Sequence, residues 1–149
     1  MNDTNAIHRA TTEEADAVRA LFREYRESLD FDLCFQGFDD ELEDPFGIYA
    51  AIWLSDSGCV ALRRIDEQTC EMKRLYVRPG ARGRELGRAL AESVVRFAKD
   101  DGYTKMKLDT VPSMTPAIGL YRSLGFKETD GYRYNPVEGA LYFELDLTT

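Results

Sequence analysis

Histidine is nearly absent from this chain: His8 is the only one in 149 residues. That argues against a zinc site built on imidazoles and against a Ser-His-Asp triad. Cysteine is scarce as well. Cys34, Cys59 and Cys70 are an odd number without metal-ligand spacing, so no metal is expected and a reducing, cytoplasmic setting is. No apolar run approaches the ~20 residues of a membrane span. The opening MNDTNAIHRATTEE has no apolar signal core, so no membrane association is expected. Positive charge is in deficit, with a net charge of −8, which disfavours nucleic acid as a partner.

What is present is an ordinary globular composition, 44% apolar and 31% charged. The length suits one domain over residues 1–149, large enough to bury a core without staples. Residues 6–10 read as a short first strand. Thr11 with Glu14 three residues on is a capping-box pattern. Val18, Leu21, Phe22, Tyr25 and Leu29 then recur at helical spacing and predict a helix to about Ser28. GFDDELEDPFG (37–47) predicts a short second helix ended near Pro45. Its acids Asp39, Asp40, Glu41, Glu43 and Asp44 read as a solvated face more readily than as bait for a cation. Residues 49–54 and 59–64 form a predicted hairpin around SDSG, followed by a strand at 70–77. A helix is expected from Arg84, with Leu86, Ala89, Leu90, Val94, Phe97 and Ala98 on one face and Gly102 as its C-terminal cap. Residues 105–110 alternate as a strand. Thr115-Pro116 reads as an N-cap and first helical residue, with Gly125 closing that helix. Leu141, Phe143, Leu145 and Leu147 alternate in a last strand. The order predicts an α/β fold with a mixed sheet and helices packed on it.

Charge is uneven along the chain. Residues 72–88 hold Lys73, Arg74, Arg78, Arg82, Arg84 and Arg88 against Glu85 alone. Within this segment, RPGARGRELGRAL (78–90) lies between a predicted strand and a predicted helix. A helix N-terminus offers unpaired N–H groups and the positive end of the dipole. Gly83 and Gly87 would let a phosphate approach the backbone. The stretch is neither a Walker loop nor a dinucleotide fingerprint. Charge alone leaves an anion cradle and a solvated helix face equally open.

The run LYVRPGARGRELGRAL resembles the acyl-CoA pyrophosphate loop of the GNAT superfamily of N-acyltransferases, Q/R-x-x-G-x-G/A after a strand ending V-x-P. Arg82 opens that pattern and Gly87 closes it; Glu85 stands where the family usually has glycine. Downstream, SMTPAIGLYRSLGF is similar to N-x-x-A-x-x-L-Y-x-x-x-G-F through Ala117, Leu120, Tyr121, Gly125 and Phe126, with Met114 at the asparagine position. IHRATTEEA resembles the family's first strand and helix. FDLCFQGFDDEL and LDTVPSM look like a bacterial subgroup whose substrates are mostly unassigned. The resemblance implies a central mixed sheet of about six to seven strands flanked by about four helices.

It also implies acetyl-CoA as donor and direct transfer of its acetyl group to a primary amine, with no covalent enzyme intermediate. The backbone of Leu75, Tyr76 and Val77 would hold the pantetheine arm. The amides of Arg82, Gly83, Arg84, Glu85, Leu86, Gly87 and Arg88 would hold the pyrophosphate. Tyr121 would act as acid toward the leaving sulfur; a core tyrosine is the competing reading. Glu71 would act as base through water; a pair with Lys73 on the same strand face competes evenly with that role. Tyr132, Arg133, Tyr134 and Asn135 either wall the acceptor site or merely form a turn. The acceptor stays open among small molecules, amino acids, peptide N-termini and lysine side chains. Homodimers are common among proteins of this resemblance. A non-catalytic acyl-CoA-binding regulator is the alternative from another class, and a nucleotide-binding module a third.

Overall fold

The computed structural model describes residues 6–29, 37–81, 85–132, 135 and 137–148. In chain order these form β1 (His8–Arg9), α1 (Ala15–Ser28), α2 (Phe38–Glu43), α3 (Pro45–Ile48), β2 (Ala51–Ser55), β3 (Gly58–Arg64) and β4 (Thr69–Val77). Then follow α4 (Leu86–Asp100), β5 (Lys105–Thr110), α5 (Thr115–Ser123), β6 (Lys127–Thr129) and β7 (Leu141–Asp146). The seven strands lie in one sheet in the order β1-β2-β3-β4-β5-β7-β6. Neighbours pair antiparallel except β4 and β5, which are parallel and joined through α4 as a parallel pair requires. The mixed α/β sheet is thus the one expected, with five α-helices among the described residues rather than about four.

The extra helix comes from Pro45. The acidic helix ends near Pro45 as expected, at Glu43, and Pro45 then opens the next helix, where its missing N–H is no loss. Asp44 caps that turn, accepting from the Gly47 amide at 3.1 Å. At α5 the cap is also one residue earlier than expected. Ile118 donates to the Met114 carbonyl at 3.0 Å, which makes Met114 the N-cap and Thr115 the first helical residue. The Thr11 amide donates to Glu14 Oε1 at 3.0 Å, as the capping-box pattern predicts.

Two apolar clusters flank the sheet. On one face Val18, Leu21 and Phe22 of α1 and Phe38 of α2 pack on Ile52, Leu54, Cys59 and Ala61. On the other Leu86, Leu90, Ala91 and Val94 of α4, with Tyr121 of α5, pack on Trp53, Val60, Leu62 and Met106. Strands β2 and β3 alternate strictly between these clusters, as a sheet covered on both faces must. Strand β4 does not. Cys59 lies opposite Tyr76, but Ala61 lies opposite Lys73, so β4 carries one residue more than its partner across that interval. Arg74 adopts a left-handed φ of 60° there. This is a β-bulge, and it reverses the pleat. Before it Cys70 and Met72 face α4; after it Leu75 and Val77 do.

Candidate active site

The parallel ladder between β4 and β5 is short. It pairs Thr69 with Lys105, Cys70 with Met106 and Glu71 with Lys107, then ends. Beyond it β4 stays with β3 as far as Val77, while β5 stays with β7 as far as Thr110. The strands separate at the bulge, and a cavity of about 30 Å³ lies between them. Lys73, Arg74 and Leu75 of β4, Asp109 of β5, Tyr121 of α5 and Asn135 of the β6–β7 connection all line it. That volume admits a group the size of one water or a methyl, not a whole substrate.

Tyr121 is 7% exposed, with its ring against Phe126 and Phe143 at 5.8 and 6.3 Å. Burial, reinforced by Tyr25 and Asp109, pushes its phenol well above the usual tyrosine range. Among the described residues no group hydrogen-bonds its hydroxyl, and no fully enclosed side-chain polar atom lacks a partner. The oxygen therefore opens into the cavity as a neutral donor.

Glu71 is fully buried on β4 at the end of the ladder. Its Oε1 accepts from Arg63 Nε at 2.9 Å and its Oε2 from the Tyr132 hydroxyl. Lys73 Nζ stands 3.9 Å from Glu71 Oε2 and 3.9 Å from Asp109 Oδ1. The Glu71–Lys73 pair read from the strand alternation is thus present, and Arg63 and Tyr132 join it. Tyr132 and Asn135 both reach from the β6–β7 connection to a carboxylate of the central strands. Arg133 and Tyr134 lie outside the described residues.

Sequence reasoning missed two groups. Asp109 shares a side of the alternating strand 105–110 with Lys105 and Lys107, yet its side chain is 5% exposed. Asn135 Nδ2 donates to its Oδ2 at 3.1 Å, and among the described residues no donor reaches Oδ1 within hydrogen-bond distance. Glu41 was read as solvated. It is 2% exposed and accepts from Arg74 Nε at 2.6 Å, Arg74 Nη2 at 2.8 Å and the Tyr49 hydroxyl at 2.8 Å. The other acids of that run, Asp39, Asp40, Glu43 and Asp44, are exposed as expected. Burial works against the Arg74 charge, but Tyr49 and Glu41 outweigh it and hold that guanidinium fully protonated.

At the anion cradle, Arg82, Gly83 and Arg84 lie outside the described residues. Glu85 is exposed and occupies the N-cap of α4 in a left-handed conformation, φ 61°. It is thus the cap itself and not a second or third helical residue, and its backbone has the conformation that glycine adopts most readily. Leu86 is buried in the core. A Cβ added to Gly87 would meet only Val77 Cγ2 at 3.7 Å and Leu120 Cδ2 at 3.8 Å, ordinary contacts. Packing alone therefore does not require glycine there. Arg88 donates to the Ser123 hydroxyl and so ties α4 to α5. Leu75 lines the cavity, Tyr76 packs against the α1 side, and Val77 ends the strand beside Gly87.

Solved structures of the same architecture are acetyltransferases. A GNAT-family acetyltransferase of Staphylococcus aureus Mu50 superposes with a TM-score of 0.79 at 18% identity, over 96% of this chain and 99% of the other. A proposed acetyltransferase of Salmonella typhimurium, solved with acetyl-CoA, superposes with a TM-score of 0.72 at 18% identity, over 97% and 94%. In sequence, the chain is 37% identical to an uncharacterized N-acetyltransferase of Schizosaccharomyces pombe, over 91% of this chain and 90% of that one. It is 31% identical to another from Dictyostelium discoideum, over 83% and 90%. The acetyltransferase (GNAT) family model matches residues 14–126, and the chain belongs to that family. Its activity is accordingly that of an acetyl-CoA-dependent N-acetyltransferase.

Proposed function

We propose that the acetyl group passes directly from acetyl-CoA to a small-molecule primary amine at the opening between β4 and β5. The observation that carries this reading is the Tyr121 hydroxyl, which opens unpartnered into the cavity formed where the strands separate. An amine attacking a thioester needs its own proton removed, the developing oxyanion stabilised and the thiolate protonated. Tyr121 serves the last step: burial keeps it protonated, so it can donate to the sulfur. Glu71 takes the amine proton through water, held in place by Arg63 and Tyr132. The end of the β4–β5 ladder at Glu71 leaves Leu75, Tyr76 and Val77 beside the opening, where the pantetheine arm lies along β4 as a substitute strand. The amides from Arg82 to Arg88 take the pyrophosphate at the N-terminus of α4.

The protein acts as a single domain over residues 1–149, as a homodimer. Buried, protonated thiols at Cys59 and Cys70 fit a cytoplasmic setting. Among the described residues no helix is long and apolar enough to cross a membrane.

The test is release of free CoA thiol from acetyl-CoA against a panel of n-butylamine, spermidine, L-lysine and glycinamide. Turnover with at least one amine is expected, together with loss of CoA binding in Gly87→Val while the thermal midpoint is kept. CoA binding without turnover on any amine would point instead to a non-catalytic acyl-CoA regulator. Unchanged CoA affinity in Gly87→Val would move the phosphates elsewhere.

A further inference from the structure

The opening between β4 and β5 holds buried charged groups of both signs. Glu71 and Asp109 are 0% and 5% exposed at their side chains, and Lys73 is 5% exposed. Arg63 pairs with Glu71 at 2.9 Å, and Arg74 lines the same opening. A buried carboxylate is costly unless donors or cations reach its oxygens.

The two carboxylates differ in what they can still accept. Glu71 already receives a donor on each oxygen, from Arg63 and from Tyr132. Asp109 receives one, from Asn135 on Oδ2. Its Oδ1 lies 3.9 Å from Lys73, outside hydrogen-bond range, and has no other donor among the described residues. As no fully enclosed side-chain polar atom is left without a partner, Oδ1 is open to the cavity that it lines. Tyr121 lines the same cavity.

We infer that Asp109 is the acceptor-binding residue. Its Oδ1 accepts a hydrogen bond from the incoming ammonium and holds the amine in the opening, with Asn135 fixing the carboxylate from the other side. The inference rests on the proposed transfer to an amine and adds the group that recognises it. It sets a substrate class: an acceptor that arrives as a cation, on a slender end such as an aminomethylene, since about 30 Å³ admits little more. Uncharged nucleophiles gain a hydrogen bond from this oxygen but not the ion pair.

The experiment compares wild type with Asp109→Asn, which keeps shape and removes charge, and with Asn135→Ala, which frees Oδ2. For the amine turned over best, Asp109→Asn should raise the acceptor KM by roughly 10- to 100-fold. The acetyl-CoA KM should stay within about twofold, and Asn135→Ala should raise the acceptor KM by about threefold. A second readout needs no turnover. NMR titration of the CoA complex with n-butylammonium should show binding in wild type and its loss in Asp109→Asn, with n-butanol as the uncharged control. Turnover with an unchanged acceptor KM in Asp109→Asn would overturn the inference and leave the proposed function standing. Asp109-dependent butylammonium binding without turnover of any amine would do the reverse. Equal losses for acetyl-CoA and acceptor would assign Asp109 to packing and overturn it too.

Discussion

Glu41 and Asp109 are both acids drawn inside by this sheet, and they are treated in opposite ways. Glu41, beneath α2, receives hydrogen bonds from Arg74 Nε, Arg74 Nη2 and the Tyr49 hydroxyl. Phe38 and Tyr25 lie 5.3 and 5.8 Å from the same guanidinium. Asp109, at the opening, receives one hydrogen bond and keeps an oxygen turned to the cavity. The difference separates a charge that holds the chain together from one placed for a ligand. A carboxylate that takes three hydrogen bonds from its own chain fixes those partners in place, whereas one that keeps an open oxygen can still take a donor from a ligand. The same contrast covers their surroundings. The opening also holds the unpartnered Tyr121 hydroxyl, and beyond Gly87 the α4 N-terminus carries a left-handed Glu85. On the α2 side every bond of the pair is made.

Glu41→Ala tests the contrast most severely. It strands a buried guanidinium, and unfolding stability should fall by about 3–5 kcal/mol in urea titrations. Asp40→Ala, on the exposed face of the same helix, should change it by less than about 0.5 kcal/mol. Equal effects would end the distinction. At the opening the expected loss is in rate rather than in stability. Tyr121→Phe should lower kcat by about 100-fold while acetyl-CoA affinity, measured by calorimetry, stays within about twofold. Because burial raises the Tyr121 phenol, the neutral donor persists as pH rises, and kcat should show no fall from this group at the ordinary phenol value near pH 10. A parallel fall in affinity would make Tyr121 a packing residue. The smallest effect is expected at Glu85→Gly. Relieving a left-handed non-glycine backbone should recover about 1 kcal/mol, roughly 2–4 °C in thermal midpoint, and should tighten CoA binding by removing a negative charge. A lower midpoint would mean that Glu85 is not strained.

The regular parts of the fold were legible because they follow local rules. The apolar spacing of Val18, Leu21 and Phe22 marked α1 through Ser28, and the alternation of 105–110 marked β5 with the bounds it has. Pro45 marked the end of α2, but the helix it opens was not legible, because it shows only in the Asp44 cap that accepts from the Gly47 amide. Glu41 and Arg74 are 33 residues apart, so no local pattern joins them. Asp109 was hidden by alternation itself. A polar residue on a strand's second face looks solvated unless one knows that the β6–β7 connection folds over it and brings Asn135. Glu85 stood out as a departure from the glycine of the resembling motif, but its left-handed backbone could be seen only once the helix start was fixed.

The bulge at Arg74 acts on β4 as a frameshift acts on a message. Every side chain upstream is read in one phase and every side chain downstream in the other, so Met72 and Leu75 share a layer although an odd interval separates them. Flattened into a regular pleat with every residue kept, β4 would send Leu75 and Val77 to the α1 side and Tyr76 to the α4 side; the extra residue is harmless only while the bulge absorbs it. Substitutions along β4 alter single letters; losing the bulge at constant length would rewrite the whole of its second half. Chains aligned to this one should therefore keep the extra residue and the bulge together, or lack both.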